Sequence, residues 1–182
     1  MDYPALDGLA KSSEFASSVV LAAQSPHAVT HIQWAFAGED YWRSRLAHYD
    51  VGAPTLDSLT TDEDGTITVE ITMRFGGDQL PAVVRPLRLG ALRVRQRERW
   101  RPVAGGLSGD VTVAALRTPI SGRGMVELVA TGRGTHLAGT AAAEVKVPLI
   151  GRAIAGFFNA QIAAGVLEVV QLTDEWLDAH PR

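Results

Sequence analysis

The sequence TITVEITMRF, residues 66–75, alternates between polar and apolar side chains without interruption. Its apolar set is Ile67, Val69, Ile71, Met73 and Phe75. A period of two is typical of a β-strand with one buried face and one solvated face. Such strands belong mainly to antiparallel sheets, because strands of parallel sheets are usually buried on both faces. The chain is therefore expected to build an antiparallel sheet whose apolar face is covered by another layer.

Short connections that contain glycine separate the other strand candidates. We predict seven strands in total, over residues 13–22, 55–62, 66–75, 91–103, 108–117, 124–132 and 135–147. An Asp-Gly pair favours a hairpin between the second and third strands. Short connections between successive strands favour an antiparallel meander. Two prolines and flanking glycines in residues 76–90 predict a connector with one helical turn.

Two short helices are predicted after the first strand. Ser25 is a favourable N-cap residue, and Pro26 suits the first helical position because it has no amide hydrogen to lose there. The first helix would begin at that pair and end near Gly38. The second would cover residues 39–49, with acidic residues in its first turn. Its expected anchors in the core are Tyr41, Trp42, Leu46 and Tyr49.

One long amphipathic helix is predicted at the C-terminal end of the sequence. From Leu149 to Trp176, apolar residues recur at helical spacing for about seven turns. Glycine inside a helix costs roughly 1 kcal/mol relative to alanine. Gly151, Gly156 and Gly165 therefore indicate close approach to another backbone or a bend in the helix.

Length and composition restrict the classes of protein to be considered. A chain of 182 residues can bury one core, so we expect a loose leader over residues 1–11 and a single domain over 12–182. The absence of cysteine excludes disulfides, thiolate metal sites and cysteine nucleophiles. A formal net charge of −3 gives no overall attraction to nucleic acid. The N-terminal sequence MDYPALDGLAKSSEF lacks the basic start and apolar stretch of a signal peptide, which predicts a cytoplasmic protein.

The order of predicted elements is a strand, two short helices, six antiparallel strands and a long helix. This order resembles the helix-grip fold of the START and birch-pollen-allergen superfamily (SRPBCC), which includes polyketide cyclases, aromatase-like domains and plant hormone receptors. Within it, the chain resembles an uncharacterised actinobacterial family, a domain of unknown function. The sequences that carry this resemblance are EDYWRSRL at 39–46, RERWRP at 97–102 and EVKVPLIGRAIAGFF at 144–158. The resemblance implies an α+β fold, with a curved seven-stranded sheet around the long helix and a cavity for a hydrophobic ligand, and leaves catalysis open.

Five arginines occupy every second position of the strand over residues 91–103. They are Arg93, Arg95, Arg97, Arg99 and Arg101, and we call them the arginine face. Their parity is opposite to that of Val94 and Trp100, so they are expected on the convex, outer side of the sheet. One interpretation is a solvated face with acidic partners such as Glu70. The alternative is a surface for an anionic partner, either membrane lipid or nucleic acid, and the lack of aromatic residues on this face makes nucleic acid the weaker of the two.

Gln96 and Glu98 occupy the inner parity of the same strand, where a packed core would contain apolar residues. Either these two groups face a cavity, or the strand leaves the core there through a bulge or at a sheet edge. Together with core-facing residues of neighbouring elements they define a candidate ligand cavity. Its predicted lining is Ile71, Met73, Phe75, Val94, Gln96, Glu98, Trp100, Phe157, Phe158 and Ile162.

Histidines and glycine-rich segments give weaker signals. His27 and His31 are four residues apart on a predicted helix, but no third ligand is near in sequence, so no metal site is predicted. His136 is isolated at the start of a strand. The sequences GGLSG and SGRG lie between strands rather than before a helix, so they are predicted to form turns instead of phosphate-binding loops.

The sequence therefore favours a protein that binds or transports a small hydrophobic or lipid-like ligand, with no cofactor and no metal. A polyketide cyclase-, aromatase- or hydratase-like enzyme that uses the same cavity is the alternative implied by the fold, and no catalytic residue is assigned for it. A third candidate is an interaction module that binds a protein or an anionic surface through the arginine face. Contact with nucleic acid is not expected, weak contact with an anionic membrane stays open, and no feature selects an oligomeric state.

Overall fold

A seven-stranded antiparallel sheet forms the main layer of the computed structural model, which describes residues 18–181. The elements are β1 (Val19–Ser25), α1 (Val29–Ala37), α2 (Glu39–Ala47), β2 (Thr55–Thr61), β3 (Ile67–Phe75), β4 (Leu92–Val103), β5 (Gly106–Ala115), β6 (Ile120–Thr131), β7 (Gly134–Val145) and α3 (Gly151–Ala179). The strand order is β1-β7-β6-β5-β4-β3-β2, so that β2 to β7 form a meander and β1 pairs with β7. The predicted helix-grip fold is confirmed.

α3 lies against the concave face of the sheet. It contacts β1 and β7 on one side and the two short helices at its C-terminal end. Its 29 residues, with a mean hydropathy of 1.6 in the most apolar window, are long and apolar enough to cross a membrane. The helix is nevertheless the central helix of a soluble-type α+β fold, since it covers the apolar face of the sheet. No residue between Asn159 and Thr173 is fully buried, so the middle of α3 is not tightly packed against the strands.

The start of the domain differs from the prediction. The strand predicted over residues 13–22 is observed at Val19–Ser25, and residues 1–17, including the predicted leader, lie outside the described part of the chain. The helix predicted from Ser25 and Pro26 begins instead at Val29. Pairing of β1 with β7 extends through Ser25, which keeps this residue in the sheet.

The connector over residues 76–90 contains two 3₁₀ segments, Gly77–Gln79 and Ala82–Leu87, where one helical turn was predicted. Pro86 lies inside the second segment and contributes no amide donor to it. Leu80 and Val84 from this connector are buried against Ile154 at the N-terminal end of α3. The connector thus closes one end of the space between the sheet and the helix.

Two further expectations about the helices are corrected. Gly151 does approach another backbone, because a Cβ atom there would clash with the carbonyl oxygen of Val145. Gly156 and Gly165 have no heavy atom within 4 Å of the same position, so close approach is the wrong explanation for them. Tyr49 was expected to anchor α2, but the helix ends before it and its side chain is 38% exposed.

The arginine face points outward, as predicted, and all five of its side chains are exposed. Two of them meet acidic neighbours: Arg97 Nε lies 3.8 Å from Glu70 Oε1, and Arg101 Nη2 lies 2.9 Å from Asp110 Oδ2. The solvated-face interpretation therefore accounts for the geometry, and exposed ion pairs of this kind contribute about 0–1 kcal/mol each. Weak contact of this face with an anionic membrane surface stays the alternative interpretation.

Candidate ligand cavity

Two adjacent chambers lie between α3 and the concave face of the sheet. The larger has a volume of about 490 Å³ and the smaller about 260 Å³. Both chambers are bordered by five shared residues, at which they adjoin: Val111, Val113, Val126, Ile162 and Val166. Small-molecule sites are typically roughly 300–1,000 Å³ in volume, so the larger chamber by itself suits a medium-sized organic molecule.

The larger chamber lies beneath the 3₁₀ connector and is bordered almost entirely by apolar side chains. Small inward-facing residues on β6 and β7 produce much of its volume: Gly122, Gly124, Ala141 and Ala143. A Cβ atom added at Gly124 would find its nearest neighbour, Ala141 Cβ, 3.5 Å away. The sequence analysis missed these residues, although alternating glycine and alanine on two adjacent strands is a readable signal of space in a core.

The smaller chamber contains a cluster of polar side chains around Glu98, whose side chain is only 2% exposed. Glu98 Oε1 accepts hydrogen bonds from Gln96 Nε2 at 2.7 Å and from Arg45 Nη2 at 3.1 Å, while Oε2 accepts one from Trp100 Nε1 at 3.0 Å. All three partners are donors, so both carboxyl oxygens of Glu98 act as acceptors. The cavity-facing interpretation of Gln96 and Glu98 matches this geometry, and β4 does not leave the core there.

Arg45 from α2 is the group that sequence reasoning missed. Its side chain is 7% exposed, and its guanidinium carbon lies 4.8 Å from the centre of the Trp42 ring. Burial opposes the charged form, but the Glu98 carboxylate, with smaller contributions from Tyr41 and Tyr49, raises the pKa of Arg45 above its ordinary value. A signal was present in the sequence, because Arg45 shares the helical spacing of the buried anchors Tyr41 and Trp42. An arginine within an apolar stripe is expected to have a buried acidic partner.

A hydrogen-bond chain joins α2 to α3 beside this cluster. The Thr173 hydroxyl donates to the carbonyl oxygen of Val169 at 2.7 Å, so the Tyr41 hydroxyl, 2.7 Å from Thr173 Oγ1, is the donor to it. Burial raises the pKa of Tyr41, which remains a neutral phenol. These hydrogen bonds fix the C-terminal half of α3 over the smaller chamber.

On the opposite side of the smaller chamber, side-chain contacts connect the end of β1 to α3. Ser25 Oγ donates to Asp174 Oδ1 at 2.5 Å and accepts from the His27 amide at 3.1 Å. His27 Nε2 also lies 3.2 Å from Asp178 Oδ1. These contacts use the Ser25 hydroxyl in tertiary structure, which explains why it does not cap α1. Among residues 18–181, no group of three or more histidine or acidic side chains is arranged to hold a metal ion.

Replacement of Asp174 by asparagine should stabilise the protein near neutral pH. Burial raises the pKa of Asp174, although the Ser25 hydroxyl and His27 partly oppose that shift. The ionised carboxylate therefore opposes folding above its unfolded pKa of about 3.9, and this opposition disappears as the pH falls. We expect Asp174→Asn to raise the melting temperature by roughly 1–3 °C at neutral pH, with the gain shrinking towards pH values of about 4.

Thermal melting across a pH series provides the measurement, with Glu175→Gln as the control because its carboxylate is exposed on the same helix. The control should show no comparable gain. A gain for Asp174→Asn that grows as the pH falls would contradict the proposed origin of the effect.

The structure places eight of the ten predicted cavity residues on the chambers. Met73, Phe75, Val94, Phe158 and Ile162 border the larger chamber, and Gln96, Glu98, Trp100 and again Ile162 border the smaller. Ile71 borders neither, because at that level the inner face of β3 is packed within the core cluster. Phe157 also borders neither. It lies about 100° around the helix from Phe158 and contacts that ring at 5.6 Å between centroids.

Comparison with known proteins places the fold among others of similar architecture. A family model described as "Protein of unknown function (DUF2505)" matches residues 21–177. The chain is 26% identical over 164 residues to the uncharacterized proteins Rv0481c of Mycobacterium tuberculosis and Mb0491c of Mycobacterium bovis, covering 86% of this chain and 94% of each relative.

Solved structures share the fold at low identity. TTHA0849 from Thermus thermophilus has a TM-score of 0.57 at 12% identity, covering 91% of this chain and 100% of that one. Ara h 8.0201 has a TM-score of 0.54 at 8% identity, covering 90% and 99%. Ms6760 from Mycobacterium smegmatis has a TM-score of 0.53 at 12% identity, covering 91% and 94%. These similarities support the helix-grip fold and identify no ligand.

Proposed function

The chain belongs to the DUF2505 family of proteins of unknown function, and we propose that it encloses a small hydrophobic or lipid-like molecule in the two-chamber cavity. The observation that carries the proposal is the larger chamber, about 490 Å³ of space with an almost wholly apolar lining. Burial of apolar ligand surface there would be favourable by about 25 cal/mol per Å². In this proposal the protein is cytoplasmic, acts as a carrier or sensor, and needs no metal or cofactor.

The loose packing of α3 supports the same proposal. Phe158, Ile162 and Val166 follow one another at intervals of four residues and border the larger chamber without being fully buried. Apolar side chains in such positions lack the contacts that a closed core would supply. A ligand between α3 and the sheet would provide them.

An enzyme of the cyclase, aromatase or hydratase type is the second candidate. The observation that favours it is the presence of Asp174, Arg45 and Glu98 around one chamber, together with the raised pKa of Asp174 that results from its burial. We prefer the carrier function because Arg45 and Glu98 are engaged with each other and the carboxyl group of Asp174 is engaged with Ser25. Conversion of a bound ligand during incubation would move the assignment to an enzyme.

Filling the larger chamber should abolish binding. We expect Gly124→Ile to weaken binding of an environment-sensitive apolar dye, and its displacement by fatty acids or aromatic polyketides, by at least about tenfold. The branched side chain would occupy the space beside Ala141, where the backbone leaves room for a Cβ atom. Stability should be unchanged or higher, since the added apolar surface is buried and the residue favours a strand.

Two variants control this experiment. Gly124→Ala removes the same glycine but adds a single methyl group, and Met125→Ile changes the neighbouring side chain, which is exposed on the convex face. Both should bind the dye as the parent does. Equal binding by Gly124→Ile and the parent, or no effect of any apolar compound on the melting temperature of the parent, would refute the proposal. Independently of these variants, native mass spectrometry of freshly purified parent protein would identify any ligand that co-purifies with it.

A further inference from the structure

We propose that the Arg45–Glu98 pair in the smaller chamber is a subsite for an uncharged hydrogen-bond acceptor of the ligand, the carbonyl oxygen of an ester, ketone or amide, and that it discriminates against carboxylates. This inference rests on the proposed function, because it specifies the ligand of the same cavity. It goes further in assigning the polar end of that ligand to one pair of side chains.

The free hydrogen-bonding capacity in the pair belongs to Arg45. Glu98 already accepts three hydrogen bonds, two at Oε1 and one at Oε2. A guanidinium carries five N–H groups, and the Nε atom of Arg45 is buried without a hydrogen-bond partner. Arg45 borders the smaller chamber. Solvent does not reach Nε, so an acceptor atom of the ligand would pair with the guanidinium N–H groups that Glu98 does not use.

Charge balance decides which kind of acceptor fits. The Arg45 guanidinium, with its Nη2 3.1 Å from Glu98 Oε1, forms a neutral pair with that carboxylate. A ligand carboxylate would add an uncompensated negative charge beside Glu98, with Asp174 on the same chamber. A carbonyl oxygen accepts the same hydrogen bond without adding charge. Since an unpaired charge beside buried groups is strongly unfavourable, the pair favours the carbonyl compound.

The two chambers set the shape of such a ligand. The two chambers adjoin at five shared residues, and in this proposal an apolar body fills the larger space while one end extends between those residues to the pair. The rings of Phe36 and Trp100, with centroids 4.8 Å apart, supply apolar surface on the smaller chamber itself. The ligand class is therefore an elongated apolar molecule with one neutral carbonyl group at or near an end.

Competition binding with matched acyl probes tests the assignment. Methyl laurate, laurate and tridecane are each titrated against the dye-loaded parent protein at neutral pH. We expect methyl laurate to bind about tenfold more tightly than tridecane, which is the effect of one hydrogen bond to a charged donor. Laurate should bind more weakly than its methyl ester.

Glu98→Gln should reverse the preference between the ester and the acid. Glutamine keeps the shape and an acceptor oxygen but removes the negative charge, which leaves Arg45 uncompensated and able to pair with a ligand carboxylate. Glu127→Gln is the matched control, because Glu127 is exposed on the convex face and bonded to Ser108. The control should keep the ester preference of the parent.

A second variant covers the case in which Glu98→Gln does not fold. The double replacement Arg45→Met with Glu98→Leu exchanges the buried pair for apolar groups, a change that is often tolerated. It should weaken methyl laurate binding about tenfold and leave tridecane unaffected. Preference of the parent for laurate, an unchanged preference in folded Glu98→Gln, or failure of all three probes to displace the dye would each overturn the subsite. If the dye still binds the parent and is excluded by Gly124→Ile, the proposed cavity function survives that failure.

Discussion

Replacement of Arg45 by methionine is expected to lower the free energy of unfolding by about 3–5 kcal/mol, because it leaves a buried charge without its partner. Glu98 is 2% exposed and would retain only Gln96 and Trp100 as donors. Methionine has a similar length and flexibility, so the loss should come from the charge more than from packing. Equilibrium unfolding in denaturant gives the measurement.

The same helix offers a matched control. Arg43, two residues before Arg45, forms an exposed ion pair with Glu39 at 2.6 Å, and Arg43→Met should cost only about 0–1 kcal/mol. Adding Glu98→Leu to Arg45→Met should recover most of the lost stability, because the isolated charge is removed. Equal costs for the two single variants would mean that the buried pair is not structurally important.

Trp42→Ala is expected to have an effect of similar size, about 3–5 kcal/mol, for a different reason. Trp42 is 0% exposed and packs against Phe36 and Tyr41, with ring centroids 5.8 and 5.3 Å away. Its indole nitrogen also donates to the carbonyl oxygen of Phe36 at 2.7 Å, which ties α2 to the end of α1. Truncation would leave a large void and an unsatisfied carbonyl group at the same place.

Trp42→Phe separates the two contributions, because it keeps much of the ring and removes only the donor. We expect it to cost about 1–3 kcal/mol, the usual penalty for a buried group that loses its partner. Denaturant unfolding followed by circular dichroism avoids dependence on tryptophan fluorescence. If the alanine and phenylalanine variants were equally destabilised, packing around Trp42 would contribute little, contrary to its burial.

The sheet could be predicted from sequence because its signals are local. The alternation from Ile67 to Phe75 and the short turns between strands each require only neighbouring residues, and the seven strands follow from them. The outward direction of the arginine face and the inward direction of Glu98 depend on the same two-residue period. Where tertiary pairing overrode a local signal, prediction failed: Ser25 has the properties of a helix cap but is retained by β7 and Asp174.

The candidate site was only partly predictable because its chemistry joins distant elements. Arg45 and Glu98 are 53 positions apart in sequence, and no local pattern predicts that the Arg45 side chain on α2 reaches Glu98 on β4. The volume of the larger chamber likewise depends on a distant pair, since Gly124 on β6 lies directly opposite Ala141 on β7. The two-residue period of β4 predicts that Glu98 faces inward. Its ion pair with Arg45, however, depends on how the whole domain packs.

The sparse burial of α3 between Asn159 and Thr173 has a thermodynamic consequence. If the proposed ligand fills the space beside this stretch, it completes the hydrophobic core, and folding and binding become one linked equilibrium. A ligand present at one hundred times its dissociation constant would then add about 2.7 kcal/mol to the stability of the domain. Since cellular proteases remove unfolded chains, the amount of folded protein would follow the supply of ligand. Abundance itself would thus report the metabolic state of the cell, even without a second protein to receive the signal.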